Sequence, residues 1–214
     1  VVLFKPRLPL PFRPAVFVSA TIPQFAHELL RTEAEIRVPW AAKPKATLVK
    51  SVTTRYEDFS IKMALEYKKI LLETAKRHKR VLVFAASERV ARELRKWATY
   101  EEVLPPPDWE GVLLLRARGR FAEGVDLPAD AVVMAGAPYL PPEVSDRLAR
   151  AYRAAGVPDP VRAAIDLPML TATLQCIGRA WRDPERPPSV VLADWRYERY
   201  AKDLEPYLEL TGDA

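Results

Sequence analysis

A chain of 214 residues, 49% of them hydrophobic, is enough for one sizeable α/β domain with a real core and too short for two ordinary domains and a linker. Its 33 Lys and Arg outweigh 28 Asp and Glu to give a net charge of +5, which suits a phosphate-rich partner without requiring one. The single cysteine, Cys176, excludes an internal disulfide or a four-thiolate zinc or iron–sulfur site within this chain, and no apolar run reaches the roughly 18 residues of a membrane span.

The expectation is therefore a soluble, monomeric protein of the reducing cytoplasm, without membrane contact and without a metal site. His27 and His78 have no acidic or thiol partner at ligand spacing. The chain opens Val-Val-Leu-Phe with no initiator Met and enters a strand-like run at once, so a piece of a longer protein is expected. It contains no Asn, only Gln24 and Gln175, and 21 Pro. That profile fits a thermophilic source, and a GC-rich genome gives a similar one.

In chain order, a strand is predicted over 15–20 (AVFVSA) and a helix near 23–31. The next strand covers 47–52 (TLVKSV), and a helix follows over 58–78 with Ile61, Ala64, Leu65, Leu72 and Ala75 as its apolar stripe. A strand over 81–86 (VLVFAA) leads to Ser87, placed as the N-cap of a helix reaching about Thr99. A stiff surface loop (LPPPDW, 104–109) separates this helix from the strand at 111–116 (GVLLLR). Then come a strand at 131–137 (AVVMAGA), helices over 142–155 and 168–182, a loop at 182–189, a strand at 189–194 (SVVLAD) and a helix over 196–209. Several of these strands are apolar throughout, as strands buried on both faces are. Strands alternating with helices predict a mainly parallel β-sheet with helices on both faces, and ligand sites at the C-terminal ends of the strands.

Two segments carry candidate chemistry. In the helix over 168–182, an advance of 100° per residue puts Gln175, Arg179 and Arg182 on one stripe, about 140° from the apolar stripe of Leu170, Leu174, Ile177 and Trp181. Gly178 costs about 1 kcal/mol in a helix interior and leaves room for an approach to the backbone beside the arginines. Two guanidinium forks with an amide between them suit an oxygen-rich anion such as a polyphosphate. In the second segment, the strand ending at Arg116 enters a turn where Gly119 and Gly124 flank Glu123, with Asp126 just beyond. A glycine-bearing loop there exposes N–H groups, and its carboxylates orient a ribose hydroxyl, a water or a partner arginine. Arg116, Arg118 and Arg120 either follow a nucleic-acid backbone or form a solvated strand edge, and Tyr139, after Pro138, is read first as packing on the domain rim and otherwise as stacking on a base. Asp194 and Arg196 are read as a structural pair, and Cys176 as a small, semi-buried filler.

FVSATIP (17–23), VLVFAASE (81–88), RGRFAEGVDL (118–127), VVMAGAPY (132–139), QCIGRAWRD (175–183) and VVLADWRYERY (190–200) resemble, in order, motifs III to VI and the strand after them in superfamily 2 helicases, and the pattern is similar to the XPD/DinG branch. The resemblance implies one RecA-like domain over 1–214, the second motor domain of an ATP-dependent 5′ to 3′ DNA helicase, with residues 1–40 carrying the motif III-like segment. It implies Arg179 and Arg182 as arginine fingers with Gln175 beside them, and Glu123, Gly124, Asp126 and Gly178 around the nucleotide. Ser87, Thr21, Arg116, Arg118, Arg120 and Tyr139 would lie along single-stranded DNA. ATP and Mg²⁺ would be held mainly by the first motor domain, a partner within the same protein and the home of any iron–sulfur cluster, because this chain has neither a G-x-x-x-x-G-K-[ST] loop nor a D-E-x-H box. The alternative is a RecA-like module that binds DNA or protein without hydrolysis.

Overall fold

The computed structural model describes residues 42–121 and 125–212. The strand expected over 15–20, the helix near 23–31 and the motif III-like segment with Thr21 lie outside the described residues, as do Glu123 and Gly124. Two compact units are distinguished, one made of Val38–Pro138 with Ala172–Ala214, the other including Tyr139–Thr171.

The larger unit holds a seven-stranded sheet in the order β3-β4-β2-β5-β6-β1-β7, every pair parallel. Its strands are β1 (Lys45–Val49), β2 (Arg80–Ala85), β3 (Tyr100–Glu101), β4 (Gly111–Arg116), β5 (Ala131–Ala135), β6 (Ser189–Ala193) and β7 (Glu209–Thr211). In the interior strands, Val81, Val83, Val112, Leu114, Ala131 and Val133 pack with Ala64, Tyr67 and Leu71 of α1 (Ile61–Arg77) and with Val90, Ala91 and Leu94 of α2 (Glu88–Leu94). The alternate side chains of the same strands, Leu82, Phe84, Leu113, Leu115, Val132 and Met134, are equally buried. Both faces of the central sheet are therefore closed, which is why its strands are apolar throughout rather than alternating. This is a RecA-like α/β architecture.

Three expectations are corrected here. The buried stripe of α1 is Ala64, Tyr67, Leu71 and Thr74, while Ile61 is 78% exposed and Leu65 and Leu72 are also exposed. Tyr67 decides the rotation: its large ring is fully buried, and its hydroxyl donates to Ala193 O at 2.7 Å, so burying it strands no polar atom. Second, the helix expected over 196–209 is a 3₁₀ segment (Trp195–Tyr200) and one turn, α5 (Ala201–Leu204), after which the chain adds β7 beside β1. The helix expected from Ser87 to Thr99 likewise ends as α2 and a 3₁₀ turn (Arg95–Trp97), and β3 follows. Third, Trp109 in the proline-rich loop is buried, edge-on to Tyr100 at 6.5 Å between centroids.

The smaller unit contains α3 (Pro142–Ala154) and the first half of α4 (Pro160–Ala180), where Tyr152 packs with Ala163 and Ala164. Helix α4 starts eight residues before the expected Pro168, because the Asp159 carboxylate accepts from Arg162 N at 3.0 Å and Pro160 occupies the first turn, where no N–H is needed. Pro168 is carried inside the helix.

Candidate functional site

Because all seven strands run the same way, every turn at their C-terminal ends opens on one rim of the sheet. Hydrogen bonds carry the sheet into these turns: Ala86 N to Ala135 O (3.0 Å), Ala117 N to Ala85 O (2.9 Å), Gly136 N to Ala193 O (3.1 Å) and Trp195 N to Val52 O (3.0 Å).

At one part of the rim, the segment after β4 meets the C-terminal end of α4. Leu127 N donates to Arg179 O at 3.2 Å, and Ala129 N is 3.4 Å from Ala180 O. Arg179 Nη1 donates to Val125 O at 2.9 Å. Arg182 forms an ion pair with Asp126 and also donates to Gly178 O (3.1 Å) and Trp181 O (3.0 Å). Arg182 and Asp126 are 40% and 71% exposed, so the pair is open to exchange with an outside ligand. Helix α4 ends at Ala180, so Trp181 and Arg182, expected within it, lie just past its end; Gln175 is exposed on the stripe of Arg179, and a Cβ at Gly178 would meet no atom within 4 Å, so the space there is open. The opposite stripe is buried at Leu170, Leu174 and Ile177, while Trp181 is half-buried with its indole N–H on Asp183 O. The structure brings Arg179, Arg182, Gly178 and Asp126 to one place, with Gln175 on the same helix. Of the partners expected for the loop carboxylates, Asp126 meets an arginine, Arg182, while the hold of Arg179 on Val125 O was not foreseen.

Cys176 is fully buried rather than semi-buried, its Sγ 3.7 Å from Ala117 O, and desolvation pushes its thiol up to about 12 although Arg179 and Arg118 pull the other way. It fastens α4 to the start of the β4 loop.

The other candidates lie further along the rim. Ser87 is exposed and caps α2, its Oγ accepting from Val90 N at 3.3 Å. Arg116 is met by two carboxylates, Glu88 at 3.0 Å and Glu102 at 3.3 Å. Arg118 donates twice to Pro138 O, at 3.0 and 3.2 Å, and so ties the β4 loop to the turn after β5. Arg120 is exposed, its guanidinium 4.7 Å from the centre of the Phe121 ring. Tyr139 is half-buried at the start of the smaller unit.

Between these places sits a hub whose extent the sequence did not disclose. Asp194 is fully buried, and its carboxylate accepts from Arg196 Nη2 (2.6 Å), Nε (2.8 Å) and N (3.0 Å), Thr54 N (3.0 Å) and the hydroxyls of Thr53 and Thr54 (both 3.3 Å). Burial alone would raise its pKa; the hydrogen bonds and charge of Arg196, with the Thr54 N–H, outweigh burial and hold it below the usual carboxylate value. Thr54 also lies against Gly136, whose φ of +95° and the collision that any Cβ there would make with the Thr54 side chain admit no side chain. The ends of β1, β5 and β6 are thereby pinned in one arrangement. The expected structural pair of Asp194 and Arg196 is present, and through Thr53 and Thr54 it extends to the segment after β1.

With this geometry in view, the model of the helicase C-terminal domain matches residues 59–209. The chain belongs to the helicase C-terminal domain family. The fold of this helicase domain is that of solved XPD structures: an XPD helicase at TM-score 0.70 and 21% identity, over 91% of this chain and 42% of that one; an apo XPD at 0.69 and 22%, over 90% and 47%; and Xpd4 of S. tokodaii at 0.63 and 22%, over 89% and 43%. The chain spans less than half the length of these structures. No curated protein matches the sequence. Among the described residues, no helix is long and apolar enough to cross a membrane, and no cluster of three metal-binding side chains occurs.

Proposed function

We propose that this helicase C-terminal domain is the second motor domain of an ATP-driven, 5′ to 3′ DNA helicase of the XPD/DinG kind. The observation that carries the reading is the junction of the Val125–Asp126 segment with Arg179 and Arg182, two guanidinium groups beside the open flank at Gly178. In this reading the first motor domain holds ATP and Mg²⁺ on its own phosphate loop. Arg179 and Arg182 reach the β- and γ-phosphates across the interdomain cleft, where charge develops during transfer. Arg182 exchanges Asp126 for phosphate oxygen, and Gln175 serves the same region. Arg179 holds Val125, so nucleotide occupancy is felt in the segment after β4. Through Arg118 the same loop is joined to the turn at Pro138, next to Tyr139. Ser87 and Arg120, with Thr21, Arg116 and Tyr139, supply the single-stranded DNA track, and Glu123 and Gly124 link it to the nucleotide.

The test is DNA-stimulated ATP turnover by the full-length protein, parent against Arg179→Ala and Arg182→Ala, with melting temperature measured alongside. Loss of an arginine finger costs on the order of 10³ to 10⁵ in rate. Parent-like turnover in both variants would leave the domain a binding module.

A further inference from the structure

We infer that Tyr56 is a stacking platform for a nucleobase on the same rim, held in place by Arg89; the inference deepens the proposed nucleic-acid track and rests on it. Tyr56 lies in the segment after β1, which is fastened at both ends. Upstream, Val52 O accepts from Trp195 N, and Thr54 is bound into the Asp194 hub. Downstream, Phe59 is buried edge-on to Tyr67, with ring centroids 6.1 Å apart. Between them a tight turn closes on Arg55 O, which accepts from Asp58 N (3.0 Å) and Phe59 N (2.9 Å).

Tyr56 stands on this turn with 81% of its surface exposed, the most exposed large apolar side chain among the described residues. One face of its ring is covered: the Arg89 guanidinium lies 4.6 Å from the ring centre. Arg89 itself is anchored, donating to Tyr56 O at 2.9 Å and Phe59 O at 2.7 Å, and it also lies 5.5 Å from the Phe59 ring. An arginine that spends both terminal nitrogens on the backbone of the turn is a brace. It fixes the aromatic ring from behind and leaves the other face to solvent.

The position suits a base rather than a phosphate. Segment 52–59 runs from the end of β6 to α2, the helix after β2, and so passes along the C-terminal rim that carries Ser87, Arg118 and Pro138. Beside the ring, Glu57 and Asp58 are engaged by Arg55 at 2.6 and 3.9 Å, which leaves little net positive charge for an anion. A flat, fixed, exposed ring without local positive excess offers a π-face, and every base presents one to match. The phosphates would be met elsewhere on the rim.

The experiment is fluorescence anisotropy of the 214-residue chain with labelled oligo(dT), and with an abasic oligomer of equal length, across a salt series. Tyr56→Ala is expected to weaken oligo(dT) binding about 5- to 150-fold, the worth of one stacked base, with an unchanged salt slope and a parent-like melting temperature. Tyr56→Phe keeps the platform and binds like the parent; the abasic oligomer does not distinguish Tyr56→Ala from the parent. Salt-dependent binding of oligo(dT) that is equal in parent and Tyr56→Ala overturns the platform and leaves the track standing. No binding by the parent at low salt removes the track and the platform together.

Discussion

Replacing Asp194 with Ala deletes the acceptor on which the ends of three strands converge. Arg196, 17% exposed, then loses the carboxylate that takes its Nε and Nη2 while Nη2 still reaches Thr54 Oγ1 at 2.9 Å, and the Thr54 N–H loses its acceptor. Removing one partner of a buried ion pair typically costs about 3–5 kcal/mol, because the remaining charge is left desolvated. For a chain of this size each kcal/mol lowers Tm by about 2–4 °C, so a fall of roughly 6–20 °C is expected. Urea unfolding followed by circular dichroism measures the same loss as a shift in midpoint. The double variant Asp194→Ala/Arg196→Met separates charge from volume: with the buried guanidinium gone as well as its carboxylate, it recovers part of the loss, and the coupling appears in the mutant cycle. An Asp194→Ala protein within about 1 kcal/mol of the parent, or a double variant as damaged as the sum of the singles, would refute the hub as the element that pins these strands.

The depressed pKa of Asp194 makes its contribution pH-dependent: it is fully present above the ordinary carboxylate value of 3.8 and is lost as pH falls through the lower folded value, so acid titration of stability below about pH 4 should be shallower in Asp194→Asn. Cys176, with its thiol pushed up to about 12, should stay unmodified by a thiol reagent at pH 8 in the folded chain and react once denaturant unfolds it; rapid reaction of the folded protein would place it at the surface. Gly136→Ala forces a Cβ to 2.1 Å from Thr54 Oγ1 at a φ of +95° and should destabilise by at least about 1–3 kcal/mol, read from urea midpoints. Arg179→Ala releases Val125 O as well as a guanidinium, so beyond its loss of turnover it should speed amide exchange at Leu127 and Ala129; unchanged exchange would leave the loop held by other contacts.

The amino-acid sequence determined the parallel sheet. β2, β4, β5 and β6 lie within a residue or two of their predicted limits, because burial on both faces writes an uninterrupted apolar run into a local window. The same locality made the Ser87 cap legible and set Gln175 and Arg179 on one helical stripe, whereas Arg182 lies two residues past the helix end at Ala180. The resemblance added an order of motifs that single segments do not carry. What the tertiary structure alone decided is everything that depends on a distant partner. β3 and β7, two and three residues long, exist as strands because β4 and β1 offer them edges. The face that α1 buries was chosen by one hydroxyl reaching Ala193, 126 residues away. Arg182 and Asp126 are 56 residues apart, and Thr54 and Asp194 are 140. Such contacts leave no periodic trace, since a side chain's local pattern says only which way it faces on its own element. No sequence pattern singled out Tyr56; only the packing of Arg89 against its ring, 33 residues on, makes it a fixed surface.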